Sequence, residues 1–198
     1  MTSSSSALTF RFEVEPADAK IVRDLVTATG KFYVEESDIA VELVEERLNR
    51  GAASGYEFVF VHQVADHGPS NRGLIQGASH TVTVAAGTAQ RTDMSVGETE
   101  VIGFACFGKI PCTREAYDLY WIAVHPDHQG CGLGRQLLSA VEQAIRAAGG
   151  SQLYADTSGR SDYEATRRYY LATGFSPAAC LTDFYAPGDD KIIFRKSV

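Results

Sequence analysis

The sequence predicts a mixed α/β protein, with helices flanking one twisted sheet. Three observations point there. Alternating strand-type runs are interleaved with runs of helical period. A glycine-rich turn, Gly130-Cys131-Gly132-Leu133-Gly134, follows a strand-type run and opens an amphipathic helix. The chain closes with two strand-type runs joined by Pro187-Gly188, the pattern of a hairpin.

The elements follow in order. Phe10, Phe12 and Val14 alternate with Arg11 and Glu13, a strand. Pro16 and Asp18 open a helix with Ile21, Val22, Leu25 and Val26 on one face, stopped at Gly30. Phe32 to Glu36 reads as a loop, after which Ser37 with Asp38 caps a second helix carrying Ile39, Leu43, Val44 and Leu48 and ending at Gly51. Tyr56 to Gln63 is strand-rich in type. Ala65 to Glu100 is rich in Gly, Ser, Thr and Ala, and only His80 to Ala85 within it has strand character. It reads as an insertion between strands or as an extra hairpin. Val101 to Phe107 and Asp118 to Val124 are strands, with Cys106 as core filler. Leu133, Leu137, Leu138, Val141, Ile145 and Ala148 keep helical spacing until Gly149-Gly150. Gln152 to Asp156 is a strand, Tyr163 to Thr173 a helix, and Ala178 to Phe184 with Lys191 to Lys196 the closing hairpin.

The chain has 198 residues, 44% hydrophobic and 22% charged, enough for one domain with a sizeable core. The organisation expected is a disordered terminus over 1–7 and one domain over 8–198, with an insertion at about 65–100. The net charge of −7 argues against a nucleic-acid partner, because phosphate contacts need a basic face. It tolerates cationic substrates. No apolar run approaches membrane-span length, and Met1 to Ala7 lacks the features of a signal peptide. Cys106, Cys112, Cys131 and Cys180 form no C-x-x-C pair, so no metal site is expected and a reducing, cytoplasmic setting is the simplest reading.

The glycine turn carries the chemistry. The first N–H groups of a helix lack internal partners and lie at the positive end of its dipole, so they attract anions. A P-loop would place Lys-Ser/Thr after the last glycine, whereas Arg135-Gln136 stand there. The dinucleotide fingerprint G-x-G-x-x-G does not fit G-x-G-x-G either. A glycine-rich helix start without a ligand is the alternative.

The stretch from Asp118 through Trp121, His125 and Gln129 to Leu138 resembles the central motif of the GNAT N-acetyltransferases, Gln/Arg-x-x-Gly-x-Gly/Ala, here Gln129, Gly132 and Gly134. A second block, Arg168 to Phe175, is similar to that family's aromatic-Tyr-x-x-x-Gly-Phe element. The two blocks stand in the family's order with a strand between them. The resemblance spans about Phe10 to Lys196 and leaves the insertion as an extra.

It implies a GNAT-like fold with a mostly antiparallel sheet, and acetyl-CoA as co-substrate with no metal. The main chain of Ile122, Ala123 and Val124 would pair with the pantetheine arm, and the Val124 N–H would polarise the thioester carbonyl. Gln129, Gly130, Cys131, Gly132, Leu133, Gly134 and Arg135 would hold the pyrophosphate. Tyr170, four residues before Gly174, takes the general-acid position; its alternative is simple packing, which is also the reading for Tyr169. Asp118 takes a position that supplies the base in some relatives, and period-two parity puts it on the face of Tyr120, Ile122 and Val124. A solvated strand-start carboxylate is the alternative. Where many relatives carry an arm-binding Asn stands Tyr163, so Thr157 or Ser158 would have to substitute.

Phe32 to Glu36 and Asp183 to Lys191 would shape the acceptor side, where Glu35, Glu36, Asp189 and Asp190 suit a cation or serve as ordinary turn residues. The expected activity is acetyl transfer to a primary amine by direct attack in a ternary complex. A small-molecule acceptor is favoured over a protein, and the chain would be a monomer or homodimer. The alternatives are a non-catalytic acyl-CoA sensor and a transferase of longer acyl groups.

Overall fold

The structure, a computed structural model, describes residues 8–32, 34–64 and 99–198. The expected disordered terminus, the strand at His80 to Ala85 and the insertion up to residue 98 lie outside the described residues. The elements are β1 (Leu8–Arg11), α1 (Asp18–Ala28), α2 (Val34–Arg50), β2 (Glu57–Val64), β3 (Thr99–Lys109), β4 (Ala116–Val124), α3 (Leu133–Ala147), β5 (Gln152–Ser158), α4 (Glu164–Ala172), β6 (Ser176–Ala186) and β7 (Asp189–Ser197). Their order is the one the sequence predicts.

The strands form one mixed sheet in the order β1-β2-β3-β4-β5-β7-β6. Every pairing is antiparallel except β4 with β5. Two apolar layers sandwich the sheet. On one face α1 and α2 bury Val22, Val26 and Val44 against Phe58, Phe60, Phe104 and Cys106. On the other, α3 sets Leu137, Val141 and Ile145 against Val59, Val61, Leu119 and Leu153, joined by Tyr170 and Phe175. Cys106 is fully buried in the first layer, as its reading as core filler requires.

Three local expectations are corrected. β1 ends at Arg11, short of Val14, because the Arg11 guanidinium turns to Asp18 and donates to both carboxylate oxygens at 2.7 and 2.8 Å. α2 begins at Val34, so Ser37 and Asp38 lie within the helix and do not cap it. Asp38 instead pairs with Arg23, and Glu35 and Glu36 occupy the first turn, where negative charge suits the helix dipole.

The third correction bears on the site. In the β3–β4 ladder Cys106 faces Trp121 and Phe107 faces Leu119, which leaves Tyr120 as an unpaired bulge residue. The bulge reverses parity. Tyr117 and Leu119 pack into the α3 layer, and so do Ile122 and Val124 beyond it, whereas Trp121 and Ala123 pack into the α1–α2 layer. Asp118, which alternates with Tyr117 and Leu119, therefore stands on the face opposite Ile122 and Val124.

Candidate functional site

β4 and β5 are paired only from Ala116–Gln152 to Asp118–Tyr154. Beyond that point β5 continues against β7, β4 continues against β3, and the two strands part. The bulge at Tyr120 bends β4 where the ladder ends. Into this opening falls a cavity of about 500 Å³, walled by Tyr120 to Val124 from β4, by Asp156, Thr157 and Ser158 from β5, and by Tyr170. A second cavity of about 460 Å³ shares Lys31, Ile122, Val124, Gln129 and Thr166 with the first and runs over Gly130 and Gly132 to Arg135. The two make one cleft from the strand opening to the start of α3.

The turn at the outer end is shaped as an anion cradle. Gly130 and Gly132 have φ of 77° and 89°, a left-handed conformation that a side chain disfavours. Gly132 is the N-cap of α3, and the Arg135 and Gln136 N–H groups fold back to its carbonyl. Among the described residues no backbone acceptor is recorded for the N–H groups of Gly130, Cys131 or Gly132, and those of Leu133 and Gly134 lie in the first helical turn, which has no internal acceptors. The Gln129 side chain donates to the Val124 carbonyl at 2.9 Å, tying the turn to the end of β4.

Of the residues read as cofactor-binding, Ile122, Val124, Gln129, Gly130, Gly132, Leu133, Gly134 and Arg135 come together on the second cavity. Ala123 lines the first cavity and sits in the α1–α2 layer. Cys131 is exposed, its thiol donates to the His128 carbonyl at 2.9 Å, and it is absent from both linings.

α4 carries two adjacent tyrosines with different partners. Tyr170 is 5% exposed, rings with Phe175 and Phe194 at 5.1 and 5.3 Å, and lines the first cavity. Its burial, with the Asp156 charge nearby, pushes its phenol well up, so it is protonated at neutral pH. Tyr169 lines the second cavity, and its hydroxyl donates to the Gly134 carbonyl at 2.8 Å. Packing alone does not describe it: it is a strut between α4 and the turn.

On the opposite side of the opening stand the carboxylates. Asp118 is half-buried, and burial and then the Asp156 charge raise its pKa, opposed by Lys191. It does not line the cavity; Asp156 does. Asp156 pairs with Lys191 and accepts a 3.4 Å hydrogen bond from Tyr185, whose phenol burial pushes up to about 12. Tyr185 is brought there by a wide bulge in β6, between Leu181 and Ala186, held by the Asp190 carboxylate accepting from the Asp183 N–H at 3.0 Å. Of the four acids expected on the acceptor side, Glu36 and Asp189 line the cavity. Aromatic walls come from Phe32 and Trp121, whose ring centroids are 4.8 Å apart, and from Tyr163.

Sequence reasoning missed Asp156 and the Tyr169 strut. Asp156 alternates within an ordinary strand run, and nothing local marks it. Among the described residues no cluster of His, Cys, Asp or Glu could hold a metal ion, and no helix is long and apolar enough to cross a membrane.

Comparisons with known proteins agree with this geometry. Residues 89–177 match the model of the acetyltransferase (GNAT) domain. No curated protein sequence matches the chain. A solved structure assigned to the GNAT family of acetyltransferases, from Desulfovibrio desulfuricans, is 42% identical, with a TM-score of 0.76 over 96% of this chain and 99% of that one. The ribosomal-protein-S18-alanine N-acetyltransferase from Escherichia coli is 18% identical, with a TM-score of 0.60 over 97% and 94%. An aminoglycoside 6′-N-acetyltransferase complexed with coenzyme A is likewise 18% identical, with a TM-score of 0.60 over 96% of each chain. The last two share the fold.

Proposed function

The chain belongs to the GNAT family and is an acetyl-CoA-dependent acyltransferase, and from that premise we propose that it acetylates the primary amine of a small molecule by direct attack in a ternary complex. The observation that carries this reading is the parting of β4 and β5 beyond Asp118 and Tyr154, which opens one cleft to both sheet faces. The pyrophosphate would rest on the N–H groups of Gly130 to Gly134, with the pantetheine arm along Ile122 to Val124 and the thioester beside Tyr170. The acceptor would enter from the α1–α2 face, between Phe32, Trp121 and Tyr185. A cavity of about 500 Å³ is of small-molecule size. The four unpaired thiols suit a reducing compartment such as the cytoplasm.

In the reaction an uncharged amine attacks the thioester carbon, the C–N bond forms, and the C–S bond breaks. Tyr170 gives its proton to the departing sulfur and takes back the proton that the attacking nitrogen sheds as it becomes an amide, so the phenol is restored and no buried anion is left. The amine arrives as an ammonium, whose ordinary pKa for a lysine-like group is about 10.4, and must lose a proton first. Asp118, the more basic for its raised pKa, is the proposed proton acceptor; it stands back from the cavity, so the proton would have to pass to it through an intervening water.

Thiol release from acetyl-CoA against a broad amine panel tests the activity. Tyr170→Phe should lower turnover by roughly 100-fold, the lower bound typical of a lost general acid, with acetyl-CoA affinity nearly unchanged. Unchanged turnover removes Tyr170 from the reaction. Cofactor binding without thiol release on any amine would instead favour a sensor.

A further inference from the structure

Thr157 holds the one buried side-chain polar atom that lacks a hydrogen-bond partner among the described residues, its hydroxyl oxygen. The residue is only 6% exposed. On β5 it alternates with Leu153 and Ala155, both in the α3 layer, so it shares that face with Tyr170. Its neighbour Ser158 is fully engaged: the Ser158 hydroxyl donates to Asp189 at 2.5 Å and accepts the Arg160 N–H at 3.1 Å.

An unpartnered buried hydroxyl costs about 1–3 kcal/mol, and valine would fill the same space without that cost. The position of Thr157 supplies the reason for keeping a hydroxyl. It lines the inner cavity with Ile122, Val124 and Tyr170, and it is absent from the outer cavity over the glycine turn. On the reading above the acceptor enters from the α1–α2 face, so a ligand group meeting Thr157 on the α3 face belongs to the inner end of the cofactor. Resting on the acyl-CoA reading above, we propose that the Thr157 hydroxyl is a binding contact for the acyl-pantetheine end of acetyl-CoA. That end carries amide and thioester carbonyls as acceptors and amide N–H groups as donors, and a hydroxyl serves either.

The test compares wild type, Thr157→Val and Thr157→Ser by calorimetric titration with two ligands. One is acetyl-CoA. The other is 3′-phospho-ADP, which keeps the pyrophosphate and lacks the arm. Thr157→Val should weaken acetyl-CoA roughly five- to tenfold, the loss of about one hydrogen bond, while 3′-phospho-ADP binds as before. Its unliganded melting temperature should equal or exceed that of wild type, since the orphaned hydroxyl is gone. Thr157→Ser, which keeps the hydroxyl, should hold acetyl-CoA within about twofold of wild type. An unchanged acetyl-CoA affinity in Thr157→Val overturns the contact, and so does equal weakening of both ligands, which would mean general disruption of the cleft. Wild-type protein that binds neither ligand overturns the cofactor reading itself, a result distinct from either.

Discussion

The two ends of α3 offer a matched pair of perturbations that separates the cost of a backbone conformation from the loss of a binding site. Gly132, its N-cap, has φ of 89°, and Gly149, just past its end, has φ of 79°. A Cβ built on either meets nothing within 4 Å, so neither substitution creates a clash with the protein. The penalty for alanine is therefore the left-handed backbone alone, about 1–2 kcal/mol at each site. For a chain of this size that lowers the melting temperature by roughly 2–8 °C, about equally for Gly132→Ala and Gly149→Ala. Acetyl-CoA should tell them apart. At Gly132 the added methyl projects from the proposed phosphate cradle and disturbs the turn whose N–H groups face the ligand, so affinity should fall about tenfold or more. That removes about 1.4 kcal/mol of the stabilisation a saturating ligand provides. Gly149 lies outside both cavities and should keep wild-type affinity. Thermal-shift titrations of both variants, unliganded and across acetyl-CoA concentrations, read both quantities. Equal affinity in the two variants would refute the assignment of the turn, and a Gly132→Ala protein as stable as wild type would refute the backbone argument.

Three further outcomes are expected. Tyr169→Phe keeps the ring against Gly134 and removes the hydroxyl that donates to its carbonyl. It should cost about 1 kcal/mol of stability and weaken acetyl-CoA and 3′-phospho-ADP together, as seen by calorimetry. Asp118→Asn tests the pH linkage. The raised pKa means that the fold binds the Asp118 proton more tightly than the unfolded chain does, so the stability it contributes is full below about pH 3.8 and lost as pH rises through its folded value. The neutral variant should melt above wild type at pH 7, with the difference vanishing below pH 3.8 in melting curves taken across that range. Asp18→Asn takes the charge from a fully buried carboxylate while the part-exposed Arg11 keeps Glu15 and the Glu13 carbonyl, and should cost about 1.5–3 kcal/mol in chemical denaturation, with acetyl-CoA affinity intact because the pair lies away from the cleft.

Much of this architecture was legible without coordinates. Strand and helix periods are local properties, so the order of the strands and helices among the described residues follows from alternation at Tyr56 to Gln63 or from the spacing Leu133, Leu137, Val141. The glycine turn is equally local, because its backbone angles depend on the residues themselves. Boundaries were less secure where a distant partner intervenes. Ser37 has the chemistry of a cap, yet α2 starts a turn earlier. β1 stops where Asp18 captures Arg11, an ion pair that alternation does not reveal.

What only the tertiary structure decided is the arrangement of the chemistry around the cleft. Parity places Asp118 with Ile122 and Val124, but a bulge is a property of two strands in register, and the one at Tyr120 turns Asp118 to the other face. The opening between β4 and β5 exists because their ladder stops after Tyr154, and it brings Asp156 and Thr157 to a cavity that their own strand does not announce. Tyr169 and Gly134, far apart in the chain, meet because α4 packs across the start of α3. The sequence by itself determined the elements, the anion turn and the second motif with Tyr170, since each is written in neighbouring residues. The faces, the opening and the groups that meet across it were decided by pairing and packing over long separations.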